Sequence, residues 1–202
     1  KALVRTQRGV NAGDEVEWIR GNGWCSATRH NNVVNEALGW GADYICFFDP
    51  DQVASHDIFL RLLAWARQGM PVVGALYPNR GMTSHPSQRP FEAMGYRQEG
   101  ATMVPLRPHT GLQRATHMGT GCMILEAQVF RGLTRPWFTE SIDPTTFRRR
   151  GSMDVYFVRR LQHELGIPII VDTDLEIQHL HWFPIDHSYT ERFPDWGKAM
   201  AE

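Results

Sequence analysis

Two carboxylates one residue apart, Asp49 and Asp51, flank Pro50 where the apolar run DYICFF (43–48) stops. Acids held this close repel each other unless something positive lies between them. A hard divalent cation meets that need, because it takes oxygen ligands and leaves room for phosphate oxygens. Asp-Pro-Asp also suits a plain turn. Position favours a site: an apolar strand running straight into two acids marks the carboxyl edge of a sheet, where open α/β folds bind ligands. A third reading makes Asp49 a nucleophile.

The elements around the pair read as alternating helix and strand. RHNNVVNEAL (29–38) has an apolar stripe of Val33, Val34, Ala37 and Leu38, with Ser26 or Thr28 to cap it and Gly39 and Gly41 to end it. DYICFF is short, apolar and aromatic, the pattern of a buried strand. Ser55 is placed to cap a second helix with the stripe Ile58, Phe59, Leu62, Leu63 and Ala66, stopped by Gly69 and Pro71. PVVGALY (71–77) is the next strand. This alternation predicts an α/β layer with a parallel component. Residues 78–100 read as a long irregular stretch, of the kind that carries function or moves. Further on, the pattern predicts a strand at 101–107, a strand running into a short helix at 122–130, and a loop at 139–152. DVYFVRRLQHEL (154–165) is an amphipathic helix ended by Gly166, and IPIIVD (167–172) is a strand. LEIQHLHW (175–182) alternates, with Leu175, Ile177, His179 and His181 on one side.

Bulk properties narrow the class. The chain has 202 residues, 42% of them hydrophobic and 21% charged, as in an ordinary globular protein with a real core. A net charge of −1 gives no general pull towards nucleic acid or anionic lipid. No apolar run approaches the length of a membrane span, and no signal peptide is visible. The chain opens on Lys1 rather than Met, so further residues upstream are expected. Cys25, Cys46 and Cys122 make an odd number with no CxxC, which argues against a disulfide framework or a cysteine zinc site. A reducing cytoplasm fits them best. One domain is expected over 1–202, with a metal and nucleotide half at 1–77 and an acceptor half at 78–202.

FFDPDQV fits the DxDx(T/V) pattern of haloacid-dehalogenase-like phosphatases, in which the first Asp attacks phosphorus. That chemistry wants a lysine between the motif and a final acidic pair such as Asp172 and Asp174. The only lysines are Lys1 and Lys198, and neither stands there.

A longer match points elsewhere. RHNNVVNEALGWGADYICFFDPD (29–51), HMGTGCMILEAQVFRGLTRPWF (117–138) and GSMDVYFVRRLQHELGIPIIVDTDLEIQH (151–179) follow one another in an order that resembles glycosyltransferases of the GT-A fold, near the broad family 2. The resemblance implies a mixed, mainly parallel sheet flanked by helices. It implies that Asp49 and Asp51 hold manganese or magnesium against the diphosphate of a sugar nucleotide, a UDP-sugar being the preferred donor. His179 then completes the metal shell, with His181 as its fallback. Asp154, at the positive end of a helix, becomes the base that takes a proton from an acceptor hydroxyl. Met153 departs from the pattern, which often has Glu there.

On the nucleotide side the resemblance implies Asn31, with His30 or Arg29 in place of the usual arginine. Arg80 is a further phosphate candidate because guanidinium suits phosphate geometry. Gly119, Thr120 and Gly121 form a tight passage that lets an acceptor approach closely, and Trp137 and Phe138 are candidates to stack on it or to sit in the core. Arg148 to Arg150 suit a phosphate-bearing acceptor or a solvated loop. Such enzymes open with a base-binding strand and loop, for which VEWIRG (16–21) is the one candidate, so the base-binding half is expected to be incomplete.

The expectation is a metal-dependent, inverting glycosyltransferase acting on a saccharide, lipid, protein or modified DNA base. A phosphatase using Asp49 and a non-catalytic sugar-nucleotide binder are the alternatives.

Overall fold

The computed structural model describes residues 14–79, 93–142, 145, 149–180 and 184–185. In chain order the elements are α1 (Ser26–Trp40), β1 (Tyr44–Phe48), β2 (Gln52–Ala54), α2 (Ile58–Arg67), β3 (Val72–Ala75), β4 (Gly95–Glu99), β5 (Thr102–Pro105) and β6 (Leu112–Ala115). They continue as β7 (His117–Met118), β8 (Cys122–Glu126), α3 (Ala127–Arg131), β9 (Ser141–Ile142), β10 (Arg149–Gly151), α4 (Met153–Glu164), β11 (Ile169–Asp172), β12 (Ile177–Leu180) and β13 (Pro184–Ile185).

The central sheet has the order β1-β8-β3-β11-β6. Only the β3–β11 ladder is parallel; β1–β8, β8–β3 and β11–β6 are antiparallel. The fold is therefore mixed α/β, but the expected predominance of parallel pairing gives way. Its cause is the insertion of β8. β1 and β3 run the same way, as a strand–helix–strand unit requires, yet β8 lies between them and pairs antiparallel with both. Strands from before and after residue 77 thus interleave in one sheet, so the two sequence halves share a core.

That core is apolar throughout. Val72, Val73, Ala75, Cys122, Met123 and Leu125 have no exposed surface, and α2 covers this part of the sheet with Ile58, Leu62 and Ala66. A buried strand on both faces reads as a continuous apolar run, which is why PVVGALY and CMIL were legible. Three smaller sheets accompany the central one among the described residues: β13-β12-β2, β5-β4-β7 and the two-stranded β10-β9.

Several boundaries differ from expectation for local reasons. Helix α1 begins three residues early, at Ser26, with Cys25 as an extended N-cap that offers no side-chain bond. Its end at Gly41, in the left-handed region at φ 89°, is as expected. Ser55 does not cap α2. Asp57 occupies that position, and the Ser55 hydroxyl bonds the Asp57 carboxyl and lowers its pKa. VEWIRG forms no strand. Strand β4 lies within the stretch read as irregular, and β9 and β10 lie within the predicted loop at 139–152. These short ribbons carry little apolar alternation; β5, for example, is mostly exposed.

Two polar side chains anchor the chain around the Phe130–Phe138 aromatic cluster. Arg160 donates to the carbonyls of Thr134 and Pro136 while bonding Glu164 through two nitrogens. Asn31 gives its amide N–H groups to Ala27 O at 2.8 Å and Phe138 O at 2.7 Å, and its Oδ1 accepts from the backbone of Trp137 and Phe138. Asn31→Ala would strand a carbonyl and two N–H groups there. The expected loss is on the order of 2 kcal/mol of unfolding free energy, read from a urea titration followed by tryptophan fluorescence.

Candidate functional site

The candidate site is built at the carboxyl ends of β1 and β3. Asp49 follows β1 directly, and its N–H donates to Gly121 O at 2.7 Å, which extends the β1–β8 ladder by one step. The chain then turns, with Gln52 N donating to Asp49 O, and starts β2. Strand β2 pairs antiparallel with β12, setting His179 opposite Gln52, and Leu180 N donates to Asp51 O at 2.6 Å. A partner strand from late in the chain thereby brings His179 to the acidic pair.

His179 is held in a defined tautomer. Its Nδ1 lies 2.9 Å from Pro78 O, an acceptor only, so Nδ1 carries the proton. Its Nε2 then faces Asp51 Oδ2 at 3.4 Å. A lone pair facing a carboxylate oxygen is stable only when a proton or a metal ion lies between. Metal-binding histidines are oriented in this way, with the second ring nitrogen tied to a carbonyl. Two donors about 2.1 Å from one cation stand roughly 3 to 3.4 Å apart, so the observed span suits shared ligation.

Asp49 sits beside this pair. Burial pushes its carboxyl above the ordinary range; Asp51 and Asp154 push it further up, while His30 and His179 act against them. Among the described residues, no three or more His, Cys, Asp or Glu side chains form a group placed to hold a metal ion. Magnesium-type sites seldom have an all-protein cage, since a carboxylate or two plus substrate phosphates complete the shell. Asp51 and His179, with Asp49 adjacent, fit that kind of seat.

Asp154 reaches the site from the first turn of α4, a helix capped by Ser152 Oγ, which accepts from Val155 N. Asp154 Oδ1 accepts from Thr120 Oγ1 at 2.5 Å and from Thr120 N at 3.4 Å. Thr120 Oγ1 is also 3.4 Å from His30 Nε2, and His30 donates through Nδ1 to Ser26 O. His30 stacks on Phe47 with 4.8 Å between centroids. Tyr77, fully buried, accepts from Gly121 N at 3.0 Å. Position 121 is closely surrounded: a Cβ there would stand 2.5 Å from Gln52 Nε2, 2.8 Å from Asp49 Oδ2 and 3.0 Å from Tyr77 Oη, so these side-chain ends would have to shift. At 119 a Cβ would overlap Tyr77 Oη.

The structure thus brings together Asp49, Asp51, His179, His30, Thr120, Gly121 and Asp154. It directs other candidates elsewhere. Asn31 is engaged by the backbone of 137–138, as described above. Arg29 is exposed and donates to Gly23 O at 2.9 Å. Trp137 and Phe138, candidates for ligand stacking, are 2% and 1% exposed and pack against Phe130 and Phe157, so the core claims them. Asp172 accepts from Trp65 Nε1 at 2.9 Å and faces Arg61, which ties it to α2. Arg80, His181 and Arg148 lie outside the described residues. Two participants carried no sequence signal by type alone: Tyr77, in an apolar strand end, and Gln52. The Gln52 side chain is 5% exposed with neither amide atom bonded. Each such unmet buried group costs about 1–3 kcal/mol.

No family model and no curated protein matches the chain. Among solved structures it is similar to the crystal structure of A197 from STIV, at 17% identity and a TM-score of 0.57, over 79% of this chain and 70% of that one. Likeness at that identity concerns the fold alone.

The raised Asp49 pKa has a definite sign. The folded protein holds the Asp49 proton more tightly than the unfolded chain does, so this carboxyl's contribution is full at acidic pH and is lost as pH rises through the raised value. Asp49→Asn is expected to raise the melting temperature of the metal-free protein at neutral pH. It should also flatten the fall in stability as pH rises above the ordinary carboxylate range. Scanning calorimetry with and without millimolar manganese checks this: the wild type should gain stability from the ion, and the variant should gain less.

Proposed function

We propose that the chain is a metal-dependent glycosyltransferase with a GT-A-like fold, moving a sugar from a nucleoside diphosphate, a UDP-sugar first, to a hydroxyl acceptor. The observation that carries this reading is the pairing of Asp51 with a tautomerically fixed His179, next to Asp49, on the sheet edge that also receives Asp154. Asp51, His179 and Asp49 would hold manganese or magnesium, which supplies Lewis-acid neutralisation of the leaving diphosphate.

The chain's own groups do the rest. Asp154 Oδ1 is fixed by Thr120, which sets the direction of the carboxylate. Its Oδ2 is the oxygen we assign to proton removal. As the acceptor oxygen bonds to the anomeric carbon, the bond from that carbon to the phosphate oxygen breaks and the acceptor proton passes to Asp154. A single displacement of this kind inverts the anomeric centre. The position of Asp154 at the start of α4 favours its ionised form. The Gly119–Gly121 passage, narrowed by Tyr77, brings the backbone close to both reacting groups. Met153, where a glutamate is frequent in such enzymes, is buried and packs into the core, so it makes no polar contact with an acceptor.

The test is a transfer assay with manganese, a panel of sugar nucleotides and simple hydroxyl acceptors. Asp154→Asn should lower kcat by roughly 100-fold to 10,000-fold while donor affinity holds. Asp51→Asn should abolish the metal-dependent gain in melting temperature. Acceptor-independent phosphate release, trapped by beryllium fluoride, would replace this reading with the phosphatase one.

A further inference from the structure

Among the described residues, Gln52 is a buried side chain at the site whose amide atoms the protein leaves unanswered. It is 5% exposed, and neither Nε2 nor Oε1 has a hydrogen-bond partner. Its direction is fixed by two observations. Gln52 stands opposite His179 in the β2–β12 ladder, and directly paired residues of an antiparallel ladder project to the same face. Its Nε2 also converges with Asp49 Oδ2 and Tyr77 Oη on the space above Gly121. A carboxamide kept dry and unbonded beside a candidate metal seat is poised to meet a ligand, because natural cores rarely tolerate such a group without a purpose.

The chemistry of the amide selects the ligand. Nε2 only donates and Oε1 only accepts. A phosphate would satisfy the donor end and leave Oε1 facing negative charge. A cation would satisfy Oε1 and leave the donor end empty. Neighbouring hydroxyls satisfy both ends at once, since each can donate or accept. We propose that Gln52 is a specificity-determining residue that reads two adjacent hydroxyls of the sugar carried by the donor. This rests on the glycosyl-transfer reading of the site and adds to it which part of the donor the site recognises.

Substitution separates this role from a structural one. Gln52→Leu removes the unmet amide, so the ligand-free variant should melt about 2–4 °C higher than the wild type. A side chain that served only the fold would melt lower when lost. Calorimetric titration in manganese then compares each sugar nucleotide (UDP-glucose, UDP-galactose, UDP-N-acetylglucosamine, GDP-mannose) with its free nucleoside diphosphate. The wild type should bind one sugar nucleotide more tightly than the diphosphate alone. Gln52→Leu and Gln52→Met should lose about 10-fold to 100-fold of that sugar-dependent gain, with diphosphate affinity unchanged within twofold.

Variants that keep the gain, or that melt below the wild type, overturn the inference. A wild type that binds a nucleoside diphosphate but gains nothing from any of these sugars overturns it too, while leaving the metal and nucleotide site standing. Binding of neither diphosphates nor sugar nucleotides overturns the proposed function and this inference together.

Discussion

Burial of a carboxylate beside other acids at the end of β1 is the constraint on which this molecule's candidate site depends. Asp49 and Asp51 come from one turn and Asp154 from a distant helix, and both Asp51 and Asp154 act on Asp49 at a half-buried edge where water screens poorly. Two imidazoles, His30 and His179, are the counterweights the protein itself supplies. One is fixed by Ser26 O and the other by Pro78 O. Burial first, and the neighbouring acids after it, make Asp49 hold its proton more firmly than an ordinary carboxyl does.

The fold supports this edge from several sides. The insertion of β8 between β1 and β3 puts Gly121 opposite Asp49 and beneath Tyr77, where the ends of the Asp49, Gln52 and Tyr77 side chains converge. The small β2–β12 ribbon lies outside the central sheet and places Gln52 and His179 side by side. α4 presents Asp154 through its capped first turn. The acids thus sit in the turn that follows a central strand and in the first turn of a helix, and backbone hydrogen bonds rather than long flexible side chains set their spacing.

Much of this was legible in the sequence where burial leaves a mark. The apolar runs at 43–48, 71–77 and 122–126 announced the central strands, and the two acids after the first of them announced a sheet-edge site. The alternation in 175–182 set His179 on one side of its strand with Ile177, but not which residue it would face. Other features left no local trace. The antiparallel placement of β8 is decided by which neighbours bury its two faces, and the run CMIL is equally apolar for either direction. Asn31 looked like a ligand group by its position, but its side chain is bonded to chain 106 and 107 residues away. Trp137 and Phe138 were ambiguous for a similar reason: an aromatic serves a core or a ligand equally well until its neighbours are known. Gln52 was invisible because its significance lies in bonds that it lacks.

The tether between His179 and Pro78 spans 101 residues of sequence. Closing so long a loop is slow and costs chain entropy that local contacts do not repay. The acidic edge of β1 therefore exists in the growing chain well before its imidazole partner is synthesised. During that interval the acids at the end of β1 have only His30, of the two imidazoles, to offset them.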